Sequence, residues 1–592
     1  MMKNRVIAGL LSVLMLLGAL AGCGNTSQGT SDAHGNGTEV AGENGAPNAG
    51  TQGEYAGEQG GESSTGAEVT ALSLMQNYNT AEQNVSNDNY RTYYEVFVYS
   101  FYDSDGDGIG DLRGLTENLD YINDGDPATT TDLGCNGIWL MPIMPSTTYH
   151  KYDVKDYYDI DPEYGTMEDF KTFVAECNER GIRVMIDLVM NHSSSQHAWF
   201  LEACEYIRSL PAGAELDAAE CPYVDYYHFS KEKGAGYSPV SGTEWYYEAQ
   251  FWSEMPDINL GSEAVRAEFE AIVDFWLELG VTGFRLDAAK EFYSGNNEKN
   301  IEVLTWFNDM VKAKNEDIYI VAEVWSDISS YANYYKSGVS CFNFEFADNS
   351  GTIMQVVKQA GSANAKTYAN RIISAQEAFA AQNPDYIDSP FYTNHDMGRS
   401  AGYYAGENSE SQTKIAQAMN LLMSGSAFLY YGEELGMKGS GIDENKRAPM
   451  YWSKDAEAEG MCDGPAAMEN VKMKFDSFAE QEADGNSIYH YVKQTILLRN
   501  QYQALSHGVA VCEEGFTNES VCALKKTYQD EEVLLIYNIS PESSNVDLSA
   551  VSTMSKTGDA LEIGGVLLTG TEDISLNGTE LTLPPYSVVV LK

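Results

Sequence analysis

At 592 residues, 43% of them hydrophobic and 11% aromatic, the chain is long enough for two or three folded units around a large core. It carries 36 basic against 88 acidic residues, a formal net charge of −52, and so negative a field repels phosphate backbones and argues against nucleic acid as a partner. A neutral substrate or bound cations suit that charge, most of which serves solubility.

In chain order, Lys3 and Arg5 precede an apolar run over 6–20 that ends in Leu20-Ala21-Gly22-Cys23. A basic start, a short apolar run and small residues before Cys resemble a bacterial lipoprotein signal. That resemblance implies a signal peptide over 1–22, lipidation of Cys23, a membrane partner through the lipid and a place on the extracellular face of the cell membrane. The segment 23–87 is rich in Gly, Ser, Thr, Asn and Glu and poor in large apolar residues, so it cannot bury enough surface to offset its ordering entropy. As a flexible tether, its Gly-rich part would reach about 40–45 Å.

From Tyr90 onward, short β-branched runs alternate with helical periodicity, which predicts βα units. Strands are expected over 94–101, 137–143, 183–190, 283–287, 318–324, 341–346, 389–393 and 427–431. Eight strands with intervening helices predict an α/β fold, a (β/α)8 TIM barrel over 88–192 and 257–503. The excess length after the third strand predicts a small inserted domain over 193–256. A helix over 487–502 ends the barrel, and short strands from 504 to 592 predict a C-terminal antiparallel β-sandwich. No C-x-x-C pair occurs; Cys204 with Cys221, or Cys512 with Cys522, are spaced for bridges, with buried free thiols as the alternative.

In such a barrel the strand C-termini face the site. The third strand ends Asp187-Leu188-Val189-Met190-Asn191-His192, and the fourth runs Gly283-Phe284-Arg285-Leu286-Asp287-Ala288-Ala289-Lys290. The fifth gives Ala322-Glu323-Val324-Trp325 and the seventh Thr393-Asn394-His395-Asp396. One Asp ending a strand is commonly a helix cap. Four such ends in barrel order, each with a carboxylate, resemble the signature regions of glycoside hydrolase family 13, the α-amylase family.

That resemblance implies retaining hydrolysis of α-1,4-glucosidic bonds in starch, maltodextrins or malto-oligosaccharides, with an α-glucan as partner and the chain acting as a monomer. Asp287 is implied as the nucleophile, Glu323 as the general acid/base and Asp396 as the carboxylate on the ring hydroxyls. Arg285 shares a strand face with Asp287 and would keep it ionised. His192 and His395 are implied as neutral donors, with Lys290 and Arg399 also on the substrate side. The segment Tyr149-His150-Lys151-Tyr152-Asp153 resembles the Tyr-His-Gly-Tyr segment of α-amylases, so Tyr152 would stack on the sugar beside His150, with Lys151 in place of the usual Gly.

After the first strand stands Asp103-Ser104-Asp105-Gly106-Asp107-Gly108-Ile109-Gly110-Asp111. Alternating carboxylates around a Gly turn suit Ca²⁺, or Mg²⁺. Gly114 where a twelfth-position Glu would fall argues against an EF-hand. Family members with this pattern bind a structural cation, which implies Asp103, Asp105, Asp107, Asp111 and the Ile109 carbonyl as ligands. Within the family, Tyr149, Met255-Pro256-Asp257-Ile258-Asn259 and Ala288 lean toward α-1,4 bonds. The Asp-rich loop, Asn191-His192-Ser193-Ser194, His197-Ala198-Trp199-Phe200 and Arg399 lean toward oligo-1,6-glucosidases. An α-1,6-glucosidase, a cyclomaltodextrinase or a glucosyltransferase is the alternative reading.

Overall fold

The computed structural model describes residues 88–550 and 561–592. The signal segment, Cys23 and the tether lie outside the described residues. Among the described residues no helix is long and apolar enough to cross a membrane.

Seven parallel strands form one curled sheet: Thr92–Val96, Gly137–Leu140, Arg183–Leu188, Gly283–Leu286, Tyr319–Ala322, Ser340–Cys341 and Ala427–Tyr430. The last pairs with the first, Thr92 opposite Ala427. The expected seventh segment closes the ring through two parallel bridges, Phe342 to Ser389 and Phe391 to Phe428. The result is the expected α/β barrel, with strands shorter than their apolar runs. The first stops at Val96 because the chain turns at Val98–Ser100. The sixth stops at Cys341, where the Phe344 N–H already bonds back to the Phe342 carbonyl.

The crossover helices follow from their spacing. Met167–Glu179 buries Phe170, Phe173, Val174 and Cys177, one face of a helix, and Thr166 with Asp169 forms a reciprocal cap at its start. Inside the barrel, Tyr93, Trp139, Met185, Tyr319, Val321, Phe342, Phe391 and Phe428 form an aromatic floor. Tyr93 stacks on Phe428 at 5.1 Å and on Tyr319 at 5.7 Å. Gly137 makes room for it, since a Cβ there would stand 2.5 Å from the Tyr93 ring.

After the third strand the chain leaves the barrel and returns as one ribbon. Ser193 and Ser195 donate to the carbonyls of Pro256 and Glu254, and Ile258 donates to that of Asn191. Between these stalks lie a helix, Ala198–Ser209, and a small sheet of Phe229–Ser230, Tyr246–Glu248 and Tyr237–Pro239. The C-terminal part is a sandwich. A five-stranded antiparallel sheet led by Val521–Tyr528 and Glu531–Asn538 faces a three-stranded one, with Val521, Leu534, Ile536, Leu581, Leu583 and Val589 between them. All eight cysteines from Cys135 to Cys522 are free thiols, so neither bridge forms.

Candidate active site

The strand ends meet in a cavity of about 470 Å³ lined by His150, Tyr152, His192, Phe251, Met255, Asp287, Ala288, Lys290, Glu291, Glu323, Trp325, Asp396, Asp443 and Arg447. At its base lies Arg285, fully buried over the Trp139 ring at 5.2 Å. Its Nη1 donates to Asp287 at 2.6 Å and to both oxygens of Asp187 at 3.0 Å. Nη2 lies 3.0 Å from Glu323 Oε2, an ion pair without hydrogen-bond alignment. One guanidinium thus binds three carboxylates from three adjacent strands. Burying them singly would cost several kcal/mol each, of order the penalty for an unpaired ion.

Glu323 also accepts the Ala288 N–H at 2.9 Å, where Ala288 adopts φ +46°. Burial raises the Glu323 carboxyl above its ordinary range, and Asp287 and Asp396 add to the rise against Arg285. Burial would raise Asp396 as well. There His395, Arg447 and Arg285 overturn it and hold the carboxyl well below the usual range. Two acids on one cavity are therefore pushed apart, one toward keeping its proton and one toward losing it. Asp187, fully buried, is pushed up to about 7 by burial despite Arg285.

Tyr152 stacks on His395 with ring centroids 5.6 Å apart and donates its hydroxyl to Asp187 at 3.0 Å. His150 takes the Tyr152 N–H on Nδ1 and meets Thr148 Oγ1 with the same atom, which leaves the proton on Nε2. His192 is buried with Nε2 unpartnered among the described residues. Burial lowers His150 to about 4 and lowers His192, the direction that favours the uncharged ring. His395 shifts the other way. Burial would lower it, but Asp396 and Glu95 lift it to about 9. That lift runs against the expected neutral ring; Asp396 is its larger cause, and Glu95 adds to it from a strand 300 residues away.

Residues 95–508 match the family described as alpha amylase, catalytic domain. The chain belongs to the alpha-amylase family. Alpha-amylase 3 of Dictyoglomus thermophilum is 36% identical over 84% of this chain and 92% of its own. The solved structure of Eubacterium rectale Amy13B is 49% identical with a TM-score of 0.84, covering 88% of this chain and 99% of that one. An alpha-amylase from H. orenii is 32% identical at a TM-score of 0.72, over 85% and 99%. The protein is an alpha-amylase family glycoside hydrolase with the family's barrel.

Within this alpha-amylase family site, one residue expected on the substrate side is elsewhere. Arg399 is buried between Tyr430 and Tyr431, its guanidinium 4.3 and 4.7 Å from their rings, and donates to the carbonyls of Tyr431 and Lys446. It braces the loop beneath the cavity rather than lining it, because the chain turns away immediately after Asp396. Arg447 reaches Asp396 instead, at 2.8 Å, and its other nitrogens hold the Tyr149 hydroxyl and the His395 carbonyl. Lys290 lines the cavity and donates to the Trp325 carbonyl at 3.2 Å. Trp452 packs against Phe101 and Tyr121, under the loop and outside the cleft.

Lys151 adopts φ +64°, the left-handed conformation in which Gly is the usual residue. Its ammonium turns from the cavity to Asp161, at 3.1 Å, and Glu163. The contacts of Asp187 with Arg285 and of Arg447 with Asp396, and the places of Glu95, Phe251 and Trp325, escaped the sequence reading. Asp187 itself was already marked as the carboxylate of the third strand.

In the loop after the first strand, Asp103, Asp105 and Asp111 bring carboxylate oxygens within 4.8 Å of one another. Asp107 stands apart and accepts the Ile109 N–H at 2.8 Å. The Asp463 N–H bonds to the Gly108 carbonyl, and its side chain packs on Gly108, which brings a further acid to the loop.

Proposed function

We propose that this hydrolase cleaves α-1,4-glucosidic bonds in starch, maltodextrins or malto-oligosaccharides with retention. The observation that carries the reading is the set of three cavity carboxylates, Asp287, Glu323 and Asp396, with the first two bound to adjacent nitrogens of Arg285. Retention needs a nucleophile and an acid about 5–5.5 Å apart. Asp287 attacks the anomeric carbon while Glu323 gives its proton to the departing oxygen, leaving a glycosyl ester on Asp287. Glu323, now ionised, takes a proton from water, and the hydroxide oxygen displaces Asp287. Asp396, held ionised, faces the ring as positive charge develops on it.

Bond preference follows from the rims. Tyr149, Met255 and Ala288 suit an open α-1,4 cleft, and Arg399, which counted toward α-1,6 specificity, lies outside the cavity. An α-1,6-glucosidase, a cyclomaltodextrinase or a glucosyltransferase would use the same ester. Asp103, Asp105 and Asp111 offer hard oxygens of the kind that hold Ca²⁺, or Mg²⁺, as a structural ion. Lipidation of Cys23 would anchor the enzyme on the outer face of the membrane. The chain would act as a monomer.

The test is product analysis of the soluble part on amylose and on isomaltose. Maltose and longer fragments from amylose are expected, and none from Asp287→Asn. Glucose from isomaltose with amylose intact would move the protein to the α-1,6-glucosidases.

A further inference from the structure

We propose that Glu95, on the first barrel strand, is a positioning residue that fixes which protons His395 presents to Tyr152 and Asp396 in the cavity wall. The inference rests on the glycosidase reading above and adds a residue to it. Glu95 is buried in the barrel wall, opposite Trp139 on one side and Tyr430 on the other. Its Oε1 lies 2.6 Å from His395 Nδ1. Such a carboxylate accepts only, so Nδ1 must carry a proton.

The other ring nitrogen settles the charge. His395 Nε2 lies 3.1 Å from Asp396 Oδ2 and 2.7 Å from the Tyr152 hydroxyl. Tyr152 gives its one proton to Asp187 at 3.0 Å, so toward His395 its oxygen accepts. A neutral ring with its proton on Nδ1 would aim a lone pair at two acceptors. An imidazolium satisfies all three contacts. The groups facing the ring are Glu95, Asp396 and Asp187 as acids, Tyr152 and the Trp139 edge as neutral partners, and Arg285 and Arg447 as opposing cations. The lift of the ring to about 9 agrees with this geometry.

Hydrogen bonds therefore run in one direction. His395 gives a proton to Glu95 at its back and, at its front, to Tyr152 and Asp396; Tyr152 gives one to Asp187, which is held by Arg285. Glu95 is the fixed end of this chain and touches no sugar. Replacing it with Gln keeps the shape and lets the ring lose a proton. Nε2 then becomes an acceptor, the wrong polarity for Asp396.

The test is E95Q with histidine-labelled, ligand-free protein, assigned against H395N, together with kcat and KM on a maltodextrin. His395 is expected to stay protonated past pH 8 in the wild type and to titrate at least about one pH unit lower in E95Q. The kcat should fall by about 100-fold, the loss typical of one misdirected transition-state donor, with KM little changed. E95D, which keeps the charge on a shorter arm, should recover part of both. If E95Q does not fold, E95D read by the same titration must fall below wild type. An unshifted His395 titration in the folded variant would overturn the proposal, whatever the loss of rate. The titration uses no substrate, so wild-type protein that cleaves no glucan sinks the glycosidase reading and leaves this result standing.

Discussion

Two groups of carboxylates follow strand ends of the same barrel, and they are neutralised in opposite ways. Around the cavity, Asp187, Asp287 and Glu323 share a fully buried guanidinium that the chain supplies itself. In the loop after the first strand, Asp103, Asp105 and Asp111 converge with no Lys or Arg paired to them among the described residues. Backbone N–H groups of Asp105, Gly106 and Gly108 serve Asp103, and those of Ser104 and Gly114 serve Asp111. The first cluster is complete within the protein and can be tuned by its neighbours. The second leaves net negative charge that only the solution can balance.

The largest effect should come from breaking the first cluster. Asp287→Asn removes the nucleophile and should lower kcat by about 10⁴-fold or more while leaving the fold intact, checked by rate assays beside circular dichroism. Glu323→Gln should cost about 10²–10⁴-fold, since the proton transfer is lost. The same residue sets a pH limit. Its acid form starts the reaction and its carboxyl is raised by burial and two aspartates, so activity should persist above the ordinary glutamate range and fall as pH rises through the raised value. A limb that sits at the usual glutamate position would remove the acid role.

The second cluster should respond to the solution instead. Chelation should lower the melting temperature by about 2–3 °C, as expected for a bound ion worth about 2–3 kcal/mol in a chain of this size, and added Ca²⁺ should restore it. Asp103→Asn should abolish that response but leave the wild-type kcat within a small factor. Smaller still, Trp325→Ala should raise KM for long maltodextrins by up to about tenfold with kcat kept, because the ring is half exposed at the cavity and stacks on Phe344. The smallest kinetic effect belongs to Arg399→Met. It should leave KM unchanged and cost about 1–3 kcal/mol of stability in denaturant titrations, from the carbonyls it strands.

The same contrast explains what could be read from the sequence. Barrel strands, the inserted domain, the sandwich and the carboxylates at strand ends all rest on local periodicity, and each stands in the expected place on the fold. The acidic loop was legible for the same reason, except Asp107, whose side chain turns to its own backbone. What stayed hidden was pairing across distance. Arg399, three residues from Asp396, was expected on the substrate side, yet it is Arg447, about fifty residues on, that reaches Asp396. His395 was expected neutral, yet Asp396 beside it in the chain and Glu95, 300 residues away in sequence, both lift it. Strand lengths were overread because apolar runs continue into turns that the barrel's aromatic floor also buries.

The ribbon that joins the inserted domain to the barrel has a further consequence. The chain departs at Ser193 and comes back at Pro256 beside its own point of departure, tied by Ser193 to Pro256, Ser195 to Glu254 and Asn191 to Ile258. Everything between those ties behaves as a cassette on a closed clasp. It brings Phe251 and Met255 to the cavity without contributing a strand to the barrel. Transplanting a cassette of another length at this clasp would reshape one wall of the cleft while Arg285 and its three carboxylates stay where they are, so specificity can be exchanged as a module apart from the chemistry.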